Sequence, residues 1–424
     1  MRGSFRQAQL WLFACTLCVY GARAFFSSPD LIWDESRYLG GAAGLIGGEF
    51  VSPENPDIVN GPGYPFLLAL LMSLGLPVEA MRAANAVLMA FGVWFMYRAT
   101  LPYAGKCWAL GVATVLAFHP ILIYFVPFIM SEGLTTFCVA GFAWAITTLL
   151  RRERVTVPLL GICVLVLTWL VLTRVLFGYV ITIAVIGVAL MAGLRRDVPR
   201  AWTRSLIVLT LSFGLCVPYL AYTYQLTGQA FKWSTNGGEL LYWATSTNPG
   251  ERGSWFSTSR AMVEPELAPN HAEFLAGIDA LPVLEREAVF RTRAMESIRA
   301  NPVGVLKNWV DNINRLIFNF PRSYHDEELR TTVLILFQCP ILALGGLAIF
   351  CMAKWPREIQ PEIWLLSILT FIYLGLSSVL PAMTRYFIVV FPWIGLVMAA
   401  TLGPRLRIQL GRVPQTRCDA PFAD

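Results

Sequence analysis

Long apolar segments with charges confined to their ends run through almost the whole chain, and they constrain its fold more than any other feature. A membrane-spanning helix needs about 20 mostly apolar residues. Ten segments qualify, at about 8–26, 80–98, 107–127, 131–150, 155–173, 175–193, 203–224, 331–352, 362–380 and 385–402. Only 14% of the residues are charged and 56% are hydrophobic, whereas soluble domains carry about 25% charged residues. The sequence therefore predicts an all-α polytopic membrane protein with about ten transmembrane helices.

The basic residues predict the orientation of these helices, because cytoplasmic loops carry an excess of lysine and arginine. With both termini inside, the cytoplasmic connections hold Arg98, Lys106, Arg151, Arg152, Arg154, Arg195, Arg196, Arg200, Arg204, Lys354, Arg357, Arg405, Arg407, Arg412 and Arg417. The apolar run 66–76 is too short for a span, and crossing there would invert every later loop. We expect it to be a re-entrant or surface helix. Ala22-Arg23-Ala24 leaves open a cleaved signal peptide in place of a retained first anchor.

This orientation divides the chain into four regions. Residues 1–224 form an N-terminal transmembrane module that contains the first outer loop, 27–78. Residues 225–330 form an outer segment with two predicted amphipathic helices, at about 283–300 and 303–317, and it suits a small subdomain or a membrane-hugging lid. C-terminal transmembrane helices (331–404) and a cytoplasmic tail (405–424) follow.

Several function classes lack their sequence signatures. The chain contains no nucleotide-binding loop, zinc-protease helix or nucleophile elbow. Most of its nine cysteines lie in apolar runs, which favours small core residues over a disulfide framework. We expect the membrane as a partner and no nucleic acid.

Two adjacent acids, Asp34 and Glu35, follow the first span and are the leading functional candidates. The alternative is a solvated loop in which an acid caps the next helix. The middles of the ten spans carry no charge, and the charged residues at their outer ends lie at the same level: Arg82, Glu132, Arg174 and Arg385, with His119 nearby. Charge at a membrane boundary usually faces a cavity or a partner. Structural alternatives remain, since Glu132 could cap its helix, Arg174 could snorkel and Arg82 could pair with Glu79.

This set of residue types suits a lipid substrate whose polar head lies outside the bilayer. Arginines bind phosphate through charge-assisted and often bidentate hydrogen bonds. Carboxylates can deprotonate a hydroxyl or hold a divalent metal ion, and the spacing leaves both open. Together these residues indicate the transfer of a group from a lipid phosphate to an acceptor on the outer face.

The order of the motifs resembles membrane glycosyltransferases of the GT-C class, in the branch of protein O-mannosyltransferases and lipid A aminoarabinose transferases. The matching pieces are Asp34-Glu35, Gly61-Pro62-Gly63-Tyr64-Pro65-Phe66-Leu67-Leu68, Arg82 with Asn85, Ser131-Glu132, Ser234-Thr235-Asn236-Gly237-Gly238 and Arg385-Tyr386. This ordered set covers nearly the whole chain. Two departures are notable. Gly61-Pro62-Gly63 replaces the double proline that is common before the re-entrant helix, and the outer segment is too short for the extra β-rich domain of the eukaryotic protein mannosyltransferases.

The resemblance implies an inverting transfer from a polyprenyl-phosphate-linked sugar to a lipid, glycan or protein acceptor, at the outer face of an inner or plasma membrane. It implies that Asp34 is the base, and that Glu35 supports it or binds a substrate hydroxyl. Glu132 is a further catalytic candidate. Candidates for binding the donor phosphate are Arg385, Tyr386, Arg174 and Arg82, and candidates for binding other parts of the substrates are Tyr38, Asn60, Tyr64 and Asn236.

Two other classes of function stay open at this stage. A flippase or transporter of lipid-linked sugars would be expected to carry charge near the midplane, where the predicted spans have none. A non-catalytic scaffold would not need the pair of acids. The aromatic residues Trp233, Tyr242, Trp243 and Trp255 suit an interfacial belt, with sugar stacking as the alternative.

Overall fold

The computed structural model describes residues 2–26, 30–194, 198–324 and 329–406, and these ranges contain helices and no strands. The predicted cytoplasmic residues Arg195, Arg196, Arg407, Arg412 and Arg417 lie outside them. The α-helices are α1 (Arg2–Phe25), α2 (Glu35–Gly47), α3 (Gly63–Ser73), α4 (Val78–Ala117), α5 (Pro120–Phe125), α6 (Glu132–Arg151), α7 (Val157–Thr173), α8 (Leu176–Gly193), α9 (Arg200–Thr227), α10 (Gly237–Thr245), α11 (Thr258–Val263), α12 (Ala268–Ile278), α13 (Val283–Ala300), α14 (Pro302–Phe318), α15 (Leu329–Lys354), α16 (Pro361–Val379) and α17 (Phe391–Thr401). Two short 3₁₀ segments, Pro356–Glu358 and Thr384–Val389, complete the described chain.

Eight helical segments in the described ranges are long and apolar enough to cross a membrane. The prediction of an all-α polytopic membrane protein is thereby confirmed. Helix α7 is left out of the eight because it has 17 residues. Helix α4 has 40 residues and contains Gly105 in a non-helical conformation, with φ 75° and ψ −172°, so it consists of two helices joined at a kink. When α7 is added and α4 is counted as two spans, each of the ten predicted spans corresponds to a helical segment.

The two halves of α4 cross in opposite directions. Helices α16 and α17 are consecutive spans, so their first turns lie on opposite sides of the bundle. Near the kink, Tyr103 donates a hydrogen bond to Glu362 in the first turn of α16. Just beyond the end of α4, the ring of His119 lies 4.2 Å from that of Phe391, in the first turn of α17. At the start of α4, Asn85 bonds the backbone that follows α5, so both ends of α4 lie on the same side.

The first outer loop carries the short helices α2 and α3. At 11 residues, α3 is too short to span a membrane, as expected for the run 66–76. Its start packs closely on the end of α7, where Trp169 donates a hydrogen bond of 2.9 Å to the carbonyl of Gly63. A Cβ atom at Gly61 would lie only 2.0 Å from the carbonyl oxygen of Leu172. This close approach explains why glycines lie on both sides of Pro62, since any other residue would add a Cβ atom there.

The outer segment contains α10 to α14 and has an apolar cluster of its own. Phe256, Leu275 and Phe290 are among its buried residues. The two longest helices, α13 and α14, lie where the amphipathic pattern predicts them. In the same region the carboxylate of Glu251 accepts a 2.8 Å hydrogen bond from His271. Burial raises the pKa of Glu251, but hydrogen bonds from His271 and Ser246 outweigh it and hold the pKa below its ordinary value.

Trp233, Tyr242 and Trp243 are buried, so the prediction that they form an interfacial belt is wrong. Trp233 packs over Gly178, where a Cβ atom would lie 2.2 Å from the indole. Tyr242 and Trp243 belong to the apolar cluster of the outer segment. Only Trp255 of the four predicted residues is exposed. A large aromatic residue has the same local pattern in a core as at a membrane interface, and only the tertiary fold distinguishes the two.

Candidate active site at the membrane boundary

Asp34 links the two ends of the chain. It occupies the position before the first residue of α2, and it does not cap that helix with its side chain. One carboxylate oxygen, Oδ2, accepts a 3.1 Å hydrogen bond from Arg385, which lies 351 residues further along the sequence. The other, Oδ1, accepts a 2.9 Å hydrogen bond from Arg37. The side chain is 25% exposed, so a substrate can reach it.

Glu132 lies behind this pair and joins two arginines. Its Oε1 atom accepts a 2.8 Å hydrogen bond from Arg174 and lies 3.8 Å from a guanidinium nitrogen of Arg385. The side chain is almost completely buried, and its Oε2 atom has no hydrogen-bond partner among the described residues. Arg174 also bonds the hydroxyl of Thr135. Glu132 is therefore a buried counter-ion for both arginines rather than a helix cap.

Tyr386 closes one side of the arginine pair. The guanidinium carbons of Arg174 and Arg385 lie 5.7 Å and 5.5 Å from the centre of its ring. Cations at this distance are attracted to the face of an aromatic ring. The backbone carbonyl of Tyr386 accepts a hydrogen bond from Tyr373 of α16, which ties this turn to the bundle. The ring thus helps hold the two guanidinium groups side by side.

Polar side chains from three segments meet next to Glu132. The hydroxyl of Tyr38 lies 3.1 Å from that of Ser131 and 3.4 Å from the side-chain oxygen of Asn60. The amide nitrogen of Asn60 is buried, and no described residue is a hydrogen-bond partner for it. Burial raises the pKa of Tyr38 to about 12, so its hydroxyl stays protonated at neutral pH. These groups can bind hydroxyl groups of a substrate.

Glu35 faces away from this cluster although it follows Asp34 in the sequence. It is fully buried, and its two oxygens accept 2.7 Å hydrogen bonds from the backbone amides of Ile32 and Ile129. Arg82 is also buried and lies 3.9 Å from Glu35. The structure therefore separates Glu35 and Arg82 from Asp34. Both hold the first outer loop against the connection before α6.

Tyr64 and Asn236 are the remaining two candidates. Tyr64 is buried, accepts a 2.8 Å hydrogen bond from Asn85, and packs edge-on against the ring of Tyr38. Asn236 precedes α10 and follows Thr235, whose backbone amide donates a 2.7 Å hydrogen bond to Ile58 of the first loop. This contact brings the outer segment to the loop that carries Asn60. Tyr64 supports Tyr38, and Asn236 is half-buried beside the contact made by Thr235.

Three contributors are absent from the sequence-based candidates. Arg37 is a neighbour of predicted residues, and Ser131 belongs to the Ser131-Glu132 piece of the resemblance, so the sequence holds a signal for both. Thr135 lies one helical turn after Ser131 and positions Arg174. Thr135 could not be distinguished from an ordinary polar helix residue, because its role depends on a contact with a segment distant in the sequence.

The arrangement suits an anion better than a metal ion. Within the described ranges, no group of three or more His, Cys, Asp or Glu side chains is placed to hold a metal. Asp34 and Glu132 direct their charged oxygens at guanidinium groups. The same guanidinium groups can bind the oxygens of a phosphate. The described side chains therefore do not fit the divalent metal ion that the sequence left open.

Comparisons with known proteins find similarity in structure but not in sequence. No protein-family model matches the chain, and no curated protein matches its sequence. The solved structures that resemble it include the crystal structure of ArnT from Cupriavidus metallidurans bound to undecaprenyl phosphate, at 13% sequence identity and a TM-score of 0.36. That match covers 93% of this chain and 77% of the other.

Proposed function

We propose that this protein is a glycosyltransferase of the GT-C class that uses a polyprenyl-phosphate-linked sugar. It moves the sugar, with inversion, to a hydroxyl or phosphate of a lipid, glycan or protein acceptor on the outer face of the membrane. One observation carries the proposal. A partly exposed carboxylate, Asp34, lies 3.1 Å from Arg385 in a cluster of arginines at the boundary of an all-helical membrane bundle.

The arginines are arranged for the donor phosphate. Arg174 and Arg385 share Glu132 and face the same aromatic ring, that of Tyr386. Before the donor binds, Glu132 and Asp34 neutralise their charge. A lipid phosphate offers more negative charge and can draw the guanidinium of Arg385, whose side chain is 14% exposed, away from Asp34. The location fits such a donor, because its tail needs the bilayer and its phosphate needs the boundary.

Binding of the phosphate prepares Asp34 for proton transfer. In the structure both of its carboxylate oxygens are occupied, since they accept hydrogen bonds from Arg37 and Arg385. Once Arg385 turns to the phosphate, the Oδ2 atom is free to accept a proton. In the reaction, the acceptor hydroxyl gives its proton to Asp34 as its oxygen bonds the anomeric carbon. The bond from that carbon to the phosphate oxygen breaks, and polyprenyl phosphate leaves with the electron pair.

The polar group next to this cluster suits the sugar. Tyr38 is a neutral donor, while the buried amide nitrogen of Asn60 has no partner in the described part of the chain. Hydroxyl groups of the sugar would satisfy these atoms, and an unsatisfied buried polar group costs about 1–3 kcal/mol. The arginines would stabilise the charge that develops on the departing phosphate.

Mass spectrometry of envelope glycolipids and glycans tests the proposal in cells. Cells with the protein should contain a glycosylated lipid, glycan or protein that is absent without it. Cells with Asp34→Asn should resemble those without the protein at equal membrane abundance. Asp311→Asn is the matched control, because Asp311 pairs with Arg252 at 3.3 Å and is 24% exposed. Identical profiles with and without the protein would contradict the proposed function.

A further inference from the structure

Helix α14 has a polar face that packs against the rest of the outer segment. Asn308 donates a 2.6 Å hydrogen bond to the carbonyl of Ser246, and Arg315 donates one of 2.6 Å to the carbonyl of Arg252. Asp311, between them on the same face, pairs with the side chain of Arg252. This face is therefore hydrogen-bonded to the segment 246–252.

The opposite face of α14 is apolar and exposed. Val303, Leu306 and Val310 recur at helical spacing and are 63%, 55% and 47% exposed. Trp309 borders the same stripe and is also exposed. Residues three, four and seven positions apart lie on one side of a helix. Large contiguous apolar surfaces of this kind mark contact with another protein or with a membrane.

The position of α14 relative to the spans favours the membrane, rather than another protein, as the partner of this apolar face. Trp309 donates a 3.0 Å hydrogen bond from its indole nitrogen to Ser378, in the last turn of α16. At the other end of α14, the carbonyl of Ile317 accepts a 3.1 Å hydrogen bond from Gln338, which lies within the span α15. The helix therefore lies beside the ends of two spans, at the level where the bilayer begins. Leu336, two residues before Gln338 in α15, is also apolar and exposed.

We propose that α14 is an interfacial helix whose stripe of Val303, Leu306, Trp309 and Val310 lies among the acyl chains of the adjacent leaflet. A helix with one strongly apolar face lies in the interface with that face about 5–10 Å into the boundary of headgroups and chains. The indole of Trp309 suits this level, since its ring is apolar and its N–H group is polar. The proposal does not depend on the proposed chemistry.

This placement has a consequence for the candidate active site. Asn312 of α14 accepts a 3.3 Å hydrogen bond from the backbone amide of Ala382, three residues before Arg385. The helix that rests in the leaflet therefore supports the turn that carries Arg385. We assign Asn312 as a positioning residue that keeps this turn at the level of the lipid surface.

Photo-crosslinking in lipid nanodiscs tests the proposal. The probe p-benzoylphenylalanine replaces Leu306 or, separately, Val310 in the full-length protein. The probe in place of Leu336, on the exposed side of span α15, is the positive control. The control outside the membrane is Met295, which is 40% exposed on the polar helix α13. After irradiation, mass spectrometry of the intact protein detects phospholipid adducts.

We expect phospholipid adducts at Leu306 and Val310, as at Leu336, and none at Met295. Crosslinks between protein copies at Leu306 and Val310 would overturn the proposal and assign the stripe to a second copy. A lack of any adduct, as at Met295, would also overturn it and place the stripe in water. Either result would leave the proposed glycosyl transfer untouched, because no substrate or turnover enters the measurement.

Discussion

At the scale of single residues, the structure gives the adjacent acids Asp34 and Glu35 different roles. Successive residues at the start of a helix point in different directions. One carboxylate reaches Arg385 and keeps some exposure, whereas the other is sealed against two backbone amides. The sequence places both acids at the membrane boundary but cannot show which one faces the substrate. We therefore expect the two acids to respond differently to the loss of charge.

Glu35→Gln should affect stability more than chemistry. A glutamine side chain can accept only one of the two backbone hydrogen bonds through oxygen, and its NH₂ group then faces the other amide. An unsatisfied buried group costs about 1–3 kcal/mol. Thermal unfolding in detergent should show a lower midpoint, with turnover per folded molecule reduced less than by Asp34→Asn. The control is Glu49→Gln, an exposed acid of the same loop. An unchanged midpoint for Glu35→Gln would contradict the structural role.

Arg385→Lys should weaken binding of the donor. Two guanidinium nitrogens of Arg385 reach Asp34 and Glu132 at 3.1 Å and 3.8 Å, and a single ammonium group cannot reproduce this fork. Loss of one charge-assisted hydrogen bond corresponds to about tenfold or more in the Michaelis constant for the donor. Arg252→Lys, at the separate pair with Asp311, should leave this constant unchanged. An unchanged constant for Arg385→Lys would remove the residue from the phosphate site.

At the scale of elements, close contact between short segments sets the geometry of the site. Helix α7 ends immediately before Arg174, and the start of α3 is packed against that end through Gly61 and Gly63. The sequence shows the apolar run of α3 and its insufficient length. It cannot show that Gly61 and Gly63, in place of a double proline, leave room for the backbone of Leu172 and Thr173.

Gly63→Ala should therefore disturb the site through α7. The added methyl group would lie 2.5 Å from the hydroxyl oxygen of Thr173 and 2.7 Å from its backbone nitrogen. Overpacking of this kind costs about 1–3 kcal/mol. Because the shift reaches Arg174, donor affinity measured by titration should fall. Gly47→Ala adds a methyl group with no atom within 4 Å and should bind the donor normally. Equal affinities for the two variants would show that this contact does not position Arg174.

At the scale of the whole molecule, the sequence predicts the spans well because an apolar run of sufficient length is a local signal. Even the reversal within α4 follows from the charges Arg98 and Lys106, which separate two apolar halves. The sequence also places Asp34, Glu132, Arg174 and Arg385 at one level. The pairing among them depends on how distant spans pack, and that information is not local. The same limit explains the wrong assignment of Trp233 to the interface.

The proposed mechanism depends most on Asp34 as the base of a transfer from a polyprenyl-phosphate-linked sugar. The decisive measurement compares Asp34→Asn with the unchanged protein, purified and reconstituted with that donor, for both turnover and donor affinity. We predict that turnover falls by about 10²–10⁴. Donor binding should persist or tighten, because Asp34 no longer competes for Arg385. Near-normal turnover in Asp34→Asn, together with its loss in Glu132→Gln, would contradict the account and make Glu132 the base.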